Sequence, residues 1–472
     1  MAELVDLAGI EVHPAVAATL PAWSDTVDHL LDPSLPRAVT SLRDAARRGV
    51  PLIQPRSGVG GHGEMIELLE ALDEGGPGMQ SVTIDSHTRL RHFRTAELTL
   101  RERPEDLNGY PLVAHGWRRG RELTRISAVP LEIRHGSPDA RDLFAVALAS
   151  GITSFEGGGI GYNLPYSKDV PLRESLEAWR QVDAVCGRLA EVGALIDREL
   201  FGTLTAVLMP PAVSLAVVLL EAVAAAREGV RCLSPAYPQG GQAHQDIAAL
   251  RCLPLLARRY LGADVEVFPV LHEFMGVFPR TPDFADALIL QGGLVGRLGG
   301  AAKVINKTYQ EAYGIPDADA NIRGIRLATL GAGELFGFAE VDESRVEEEM
   351  HWLVRETTEL VDAVLAGSDL PADIAAAFHA GRLDIPFSAS LHAHSRVVPM
   401  RDSSGAIRLA DPGRLPLSGP VLRRNEKLLR AGPGAAPIPL IDQVGADIRH
   451  FLDRERAALA PNTRRTRLEG EP

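Results

Sequence analysis

The chain has 472 residues, 45% hydrophobic and 24% charged, with 49 basic against 62 acidic residues and a net charge of −13. That length can bury one large core or several small ones, and the composition is that of an ordinary globular protein. The acidic balance argues against a nucleic-acid binder, which carries a basic face, but a local arginine cluster for a small anion is compatible with it.

The first residues, Met-Ala-Glu-Leu-Val-Asp, lack the basic start of a signal peptide. Residues 1–48 read as a helical extension, with a basic amphipathic helix over Ser41–Arg48. Candidate strands then recur at Pro51–Gln54, Ser81–Asp85, Pro111–Ala114, Pro130–Ile133, Ile152–Phe155, Leu204–Leu208, Val230–Leu233, Val265–Leu271 and Lys303–Asn306. Helical patterns lie between many of them: Glu64–Leu72, Ala140–Ala149, Leu172–Val192, Ser214–Ala226 and Gln245–Tyr260. Such alternation predicts a parallel sheet with crossover helices. Nine candidates compete for the eight places of a (β/α)8 TIM barrel, here expected over residues 49–383. The apolar stretch Leu204–Ala226 is broken by Pro210-Pro211 and Glu221, so it reads as buried elements rather than a membrane span. Asp342–Leu365 reads as a long polar helix, and residues 384–472 as a smaller α+β extension with a disordered tail. Cys186, Cys232 and Cys252 form no CxxC pair; reduced thiols and a cytoplasmic location are expected.

Several apolar runs end in a charge and then glycine: Leu-Ile-Gln-Pro-Arg56-Ser-Gly, Leu-Glu-Ile-Arg134-His135-Gly, and Ile152-Thr-Ser-Phe-Glu156-Gly-Gly-Gly-Ile-Gly-Tyr162-Asn-Leu-Pro-Tyr166. In a βα barrel the carboxyl ends of the strands deliver chemistry to one pocket. Arginines converging on a carboxylate there suit a small acidic substrate held by charge-assisted, two-bond contacts. Glu156 stands between Phe155 and three glycines, so a ligand can approach it closely; a glutamate paired with a barrel arginine is the plainer alternative. Tyr162 and Tyr166 are either packing residues or phenols facing the substrate. Lys307 and Glu311 share one face if the turn is helical, and an ordinary ion pair is the plainer reading.

Three other motifs have weaker readings. Gly58-Val-Gly60-Gly-His-Gly63 fits the dinucleotide pattern GxGxxG with Asp85 as a ribose carboxylate, but Pro55-Arg56-Ser57 separate it from the strand. A tight turn near some ligand is the better reading. His392-Ala-His394 would share a face on a strand and hold a metal, or else lie in a solvated loop; no metal ligands are assigned. Asp85-Ser-His87 begins like the cobalt-ligating Asp-x-His-x-x-Gly, but Leu90 stands where the glycine belongs.

The strings QPRSG (54–58), HGEMIELLEAL (62–72), TIDSHTR (83–89), LNGYP (107–111), RHGSPD (134–139), TSFEGGGIGYNLPYSK (153–168), QDIAALRCL (245–253), LHEFMGVFP (271–279), KTYQEAYGIP (307–316) and LDIPF (383–387) follow in one order along the chain. Together they resemble the large (epsilon, or E) subunit of glutamate mutase, also called methylaspartate mutase. The resemblance implies a (β/α)8 barrel that docks a separate small cobalamin-binding subunit over its open end. Adenosylcobalamin is then held between the two, its cobalt ligand coming from the small subunit. A homodimer of large subunits within a heterotetramer is also implied. The implied reaction is a radical rearrangement of (S)-glutamate to (2S,3S)-3-methylaspartate; a mutase-like barrel acting on another amino acid or diacid is the alternative. Carried over, Arg56, Arg89 and Arg134 would grip the substrate carboxylates and Glu156 would take the amino group as catalytic base. His135, Tyr162 and Tyr166 would line the substrate. Lys307 and Glu311 would hold the adenosyl ribose, with Gly58, Thr83, Asn108, Pro165, Phe201 and Met275 also at the cofactor. The chain departs from the family at Glu199-Leu-Phe201-Gly-Thr203, where members read Glu-Pro-Phe-Gly-Pro, and after Phe387.

Overall fold

A computed structural model describes residues 10–202, 208–430 and 439–460. Its core is a parallel barrel. The strands are β1 (Leu52–Gln54), β2 (Gln80–Thr83), β3 (Leu131–Arg134), β4 (Ser154–Glu156), β5 (Asp197–Leu200), β6 (Cys232–Pro238), β7 (Glu266–Val267), β8 (Val270–His272) and β9 (Lys303–Ile305). The ladder runs β1-β9-β8-β6-β5-β4-β3-β2, and β7 pairs with the start of β6 while β8 pairs with its end. Thus β7 and β8 are two parts of one interrupted stave, and the nine strands make an eight-stave (β/α)8 barrel.

The ends of this ladder, β1 and β2, meet by a different means. Gly78 N donates to Ile53 O (2.9 Å) and Thr83 N to Ser57 O (2.7 Å). The Ser57 hydroxyl donates to Ser81 O (2.9 Å) and the Ser81 hydroxyl to Pro55 O (2.8 Å). Gly58 is needed here: a Cβ on it would lie 2.4 Å from Thr83 O. A Cβ on Gly60 would likewise lie 2.1 Å from Pro104 O. Asp85 caps the short helix Ser86–Arg89, accepting from His87 N (2.8 Å) and Thr88 N (3.0 Å). Gly58 and Asp85 of the dinucleotide pattern are therefore occupied with closing and capping this edge, while Gly60 packs against the Pro104 backbone.

The structure corrects the strand assignment in three places. Pro111–Ala114 is not a strand; Leu112–His115 forms a helical turn. The stave between the Leu172–Glu191 and Pro211–Arg227 helices is Asp197–Leu200; most of Leu204–Leu208 lies outside the described residues. Val265–Leu271 divides into β7 and β8.

Helix Ala38–Arg48 plugs the amino end of the barrel. Its Ala38, Val39, Leu42 and Ala45 pack with Leu52, Met79, Cys232, Phe268 and Ala302 in one buried cluster. With that end sealed by apolar side chains, the carboxyl ends of the strands are left for chemistry. The last part of the chain carries the antiparallel hairpin β10 (Val398–Arg401) and β11 (Ile407–Asp411), then helices Gly419–Arg430, Leu440–Ile448 and His450–Leu459. It packs on the barrel wall through Gln245, whose amide exchanges two hydrogen bonds with the Ile407 backbone (3.1 and 2.8 Å). It also reaches the open end, where Glu455 accepts from Arg280 N (3.0 Å) and Thr281 N (2.6 Å). The predicted tail lies outside the described residues from 461 onward. No helix among the described residues is long and apolar enough to cross a membrane. The three cysteines are free and buried.

Candidate functional site

Side chains alternate along a strand, so residues two apart share a face. On β3 that puts Glu132 and Arg134 inward, on β4 Ser154 and Glu156, on β5 Asp197 and Glu199, on β8 His272, and on β9 Lys303. All are buried. The interior of this barrel is thus charged where branched apolar side chains are usual.

Arg134 is its hub. Its Nη1 donates to Glu132 (2.8 Å) and Glu199 (3.2 Å), and its Nη2 to Glu156. Lys303 bonds Glu132 and, at 2.6 Å, Glu199. His272 Nε2 donates to Glu199 at 2.8 Å. Tyr162 donates its phenol proton to Glu156. Asp197 accepts from Ser234 at 2.6 Å. Four carboxylates (Glu132, Glu156, Asp197, Glu199) thus face two permanent cations, Arg134 and Lys303. Burying charge without a partner is costly, so the excess is relieved by protonation. Burial, with Glu199 and Glu132 adding to it and Arg134 opposing, pushes Glu156 up to about 8. Burial likewise raises Glu132 and Asp197. Glu199 goes the other way: burial would raise it, but Lys303 and Arg134 together outweigh that and hold it well below the usual range. His272, pushed by burial down to about 4, is neutral.

Above this layer lies a cavity lined by Arg56, Thr83, Arg134, His135, Glu156, Tyr162, Tyr166, Phe201, His272, Met275 and Lys307. Ten of the residues singled out from sequence therefore meet around one space: Arg56, Thr83, Arg134, His135, Glu156, Tyr162, Tyr166, Phe201, Met275 and Lys307. Arg89 is not in the wall itself. It lies beside it, its Nη1 3.6 Å from where a Gly136 Cβ would stand, on the side of Tyr166. Among the described residues neither Arg56 nor Arg89 joins a salt bridge, whereas the neighbouring Arg91 is paired with Asp139 and Asp142. Lys307 Nζ meets Glu311 Oε2 at 2.8 Å from a 3-10 turn, Tyr309–Ala312. Burial lowers the Lys307 pKa, with Glu311 opposing. Thr83 Oγ1 is buried with no hydrogen-bond partner.

Other predicted residues serve the frame. Asn108 Oδ1 accepts from Ser86 N at 2.9 Å, and Asn108 and Pro165 stand outside the cavity wall. Gly58 holds the barrel edge together. Both ring nitrogens of His135 are used within the chain: Nε2 donates to Glu156 O (3.0 Å) and Nδ1 accepts from Ser137 N (3.0 Å). Burial drops its pKa to about 3, so it is neutral. The glycines after Glu156 are required by contact: a Cβ on Gly158 would meet Glu221 Oε1 at 2.3 Å. That carboxylate accepts from Ile160 N (2.7 Å) and Gly161 N (2.8 Å), fixing the turn that carries Tyr162.

Glu132, Glu199, His272 and Lys303 were missed by sequence reading. The available signal was parity: Glu132 lies two before Arg134, and Glu199 two after Asp197. Glu156, Glu199 and His272 bring ligand atoms within 4.8 Å of one another, a metal-like set. Arg134 bonds both of those carboxylates, so a divalent cation there would meet a guanidinium. His392 and His394 lie in a loop, not on a strand, and His394 bonds His379 O at 2.9 Å.

Fold and site together define a (β/α)8 barrel with a sealed amino end and a charged pocket at the carboxyl ends of its strands. The chain belongs to the methylaspartate mutase E chain (MutE) family, whose model matches residues 33–432. It is 39% identical over 432 residues to the glutamate mutase epsilon subunit of Desulfitobacterium hafniense, covering 88% of this chain and 89% of that one. It is 42% identical to that of Haloarcula marismortui (76% and 75% covered) and 40% to that of Yersinia enterocolitica (81% and 81%). Among solved structures, N-(5'-phosphoribosyl)anthranilate isomerase from Pyrococcus furiosus overlays 59% of this chain and 98% of its own at a TM-score of 0.31 and 11% identity, a likeness too slight to argue from.

Proposed function

We propose that this chain is the catalytic subunit of a glutamate mutase, an isomerase that interconverts (S)-glutamate and (2S,3S)-3-methylaspartate with adenosylcobalamin and a small cobalamin-binding subunit. The observation that carries the reading is the charge arrangement: buried Glu156 faces a cavity flanked by two arginines, Arg56 and Arg89, that no carboxylate of the described chain neutralises. An amino diacid complements it, with ammonium toward Glu156 and carboxylates toward the arginines.

Each residue then has a task. Arg56 and Arg89 orient the diacid, which provides proximity rather than bond chemistry. Glu156 accepts a hydrogen bond from the ammonium and, with its raised pKa, can take its proton near neutral pH. Tyr162 and Arg134 hold Glu156 in place, and Phe201 covers Tyr162 with ring centroids 4.9 Å apart, excluding water. Groups in and beside this wall would suit the adenosyl end of the cofactor: the orphaned Thr83 hydroxyl, and Lys307 with its partner Glu311 for ribose hydroxyls. Adenosylcobalamin, when bound, supplies the carbon radical that begins the rearrangement. Tyr313, Ile315 and Leu391 stand exposed at loops on the carboxyl side and offer apolar area to a small subunit. Assembly as a heterotetramer belongs to the same proposal, as does a cytoplasmic location.

The test is reconstitution. The purified chain, a family small subunit and adenosylcobalamin should convert glutamate to 3-methylaspartate, followed by proton NMR, and the chain without the small subunit should not. A reconstituted complex that leaves glutamate unchanged refutes the reading.

A further inference from the structure

Outside the barrel, behind Glu156, a second charged residue holds the backbone on which that carboxylate stands. Arg198 lies on β5 with opposite parity to Asp197 and Glu199, so it points away from the pocket, yet it is wholly buried. Its Nε bonds Asp183 Oδ1 at 2.8 Å. Its two other nitrogens donate to backbone carbonyls on the neighbouring strand: Nη1 to Phe155 O, and Nη2 to Gly157 O at 2.9 Å. These are the carbonyls on either side of Glu156. The Glu156 carbonyl itself is held by His135, whose ring stacks on Trp179 at 5.8 Å, and the Arg198 guanidinium lies 4.7 Å from the same Trp179 ring. Three successive carbonyls, at 155, 156 and 157, are therefore fixed by two side chains joined through one indole. Gly157 needs that support: its φ is +121°, where the chain leaves the strand.

We propose that Arg198 is a positioning residue for Glu156, its guanidinium fork setting the height and angle at which that carboxylate enters the pocket. The inference rests on the function proposed above. A simple ion pair with Asp183 would need only Nε; the two remaining nitrogens, aimed at carbonyls flanking the catalytic carboxylate, give the arrangement its specific consequence. Lysine keeps the charge but cannot span two carbonyls. A misplacement of well under an ångström at Glu156 is enough to slow a reaction that depends on alignment.

The reconstituted complex tests this with Arg198→Lys and Arg198→Ala chains. Arg198→Lys should lower kcat about ten- to hundredfold, while KM for glutamate stays within about threefold, since Arg56 and Arg89 are untouched. Trp179 and Asp183 also line a cavity of about 420 Å³ between helices Leu172–Glu191, Pro211–Arg227 and Leu370–Ala380, a route by which a small cation can reach the vacated place. Millimolar guanidinium should therefore restore kcat to the Arg198→Ala complex, and the uncharged analogue urea should not. An Arg198→Lys complex with parental kcat overturns the inference. So does an Arg198→Lys chain that fails to fold, or a folded Arg198→Ala complex that guanidinium does not help, because Arg198 would then serve stability alone. A parent complex inert toward glutamate instead refutes the function itself, which separates the two failures.

Discussion

Arg134 and Glu156 stand at the ends of adjacent strands, β3 and β4, joined from Nη2 to a carboxylate oxygen with both side chains buried. Of the three arginines expected at the substrate, Arg134 is thus the one paired with carboxylates of the chain, whereas Arg56 and Arg89 join no salt bridge among the described residues.

That difference separates the three arginines on substitution. Arg134→Lys should destabilise the chain by about 3–5 kcal/mol, the usual loss when one partner of a buried charge network goes, read as a lower Tm of the subunit alone. Arg56→Lys and Arg89→Lys should leave Tm nearly unchanged and instead weaken glutamate turnover roughly ten- to hundredfold, for about 1.5–3 kcal/mol of lost charge-assisted bonding. Equal Tm losses in all three would contradict the assignment.

Glu156→Gln keeps shape and removes the ionisable carboxyl that the proposed function turns toward the ammonium. Turnover should fall at least a hundredfold, on the order of 3 kcal/mol for a lost charged hydrogen-bond partner, with the circular dichroism spectrum intact. Near-parental turnover would make Glu156 a structural partner of Arg134 only.

The raised pKa of Glu156 gives a signed pH effect. In the folded chain it keeps its proton up to about 8, against 4.5 for a free glutamate. Its contribution to stability is thus fully present below pH 4.5 and is lost as pH rises toward 8, levelling off beyond. Parent Tm should therefore fall relative to Glu156→Gln between pH 6 and 8. Over the same range kcat/KM for glutamate should rise in the parent, since the ionised form accepts the ammonium. Tm values that move in parallel for the two chains would show that Glu156 does not titrate there.

Gly58→Ala places a Cβ 2.4 Å from Thr83 O, where backbone must shift. A loss of about 1–3 kcal/mol is expected from such overpacking, together with faster hydrogen exchange at Thr83 N. Unchanged exchange there would mean that the edge adapts freely.

The same residues show what a sequence can disclose. β4 was legible because Ile152-Thr-Ser-Phe is apolar and the glycines after Glu156 mark the strand end. β5 was not, because Asp197-Arg198-Glu199 resembles a surface turn until its partners on β3, β4, β6, β8 and β9 are known. Pro111–Ala114 failed for the opposite reason: a four-residue apolar run fits a helical turn as well as a strand. The pocket's outer ring, from Arg56 to Lys307, was readable from charges following strands and from family resemblance. The layer below it was hidden, because a hub such as Arg134 draws two of its three carboxylates from other strands, 22 and 65 residues further on. Its nearest partner, Glu132, was within reach of the parity rule.

The closure between β1 and β2 divides the pocket mechanically. Arg134 and Glu156 ride on β3 and β4, inside a continuous ladder, whereas Arg56 follows β1 on a loop and Arg89 ends the short helix after β2, on either side of an edge stitched by two backbone bonds and a pair of serine hydroxyls. The pocket thus joins a wall built on the unbroken ladder to a wall built at its seam. In the function proposed above, the carboxylate that meets the amine stands on the unbroken part, and the guanidiniums that meet the diacid stand at the seam.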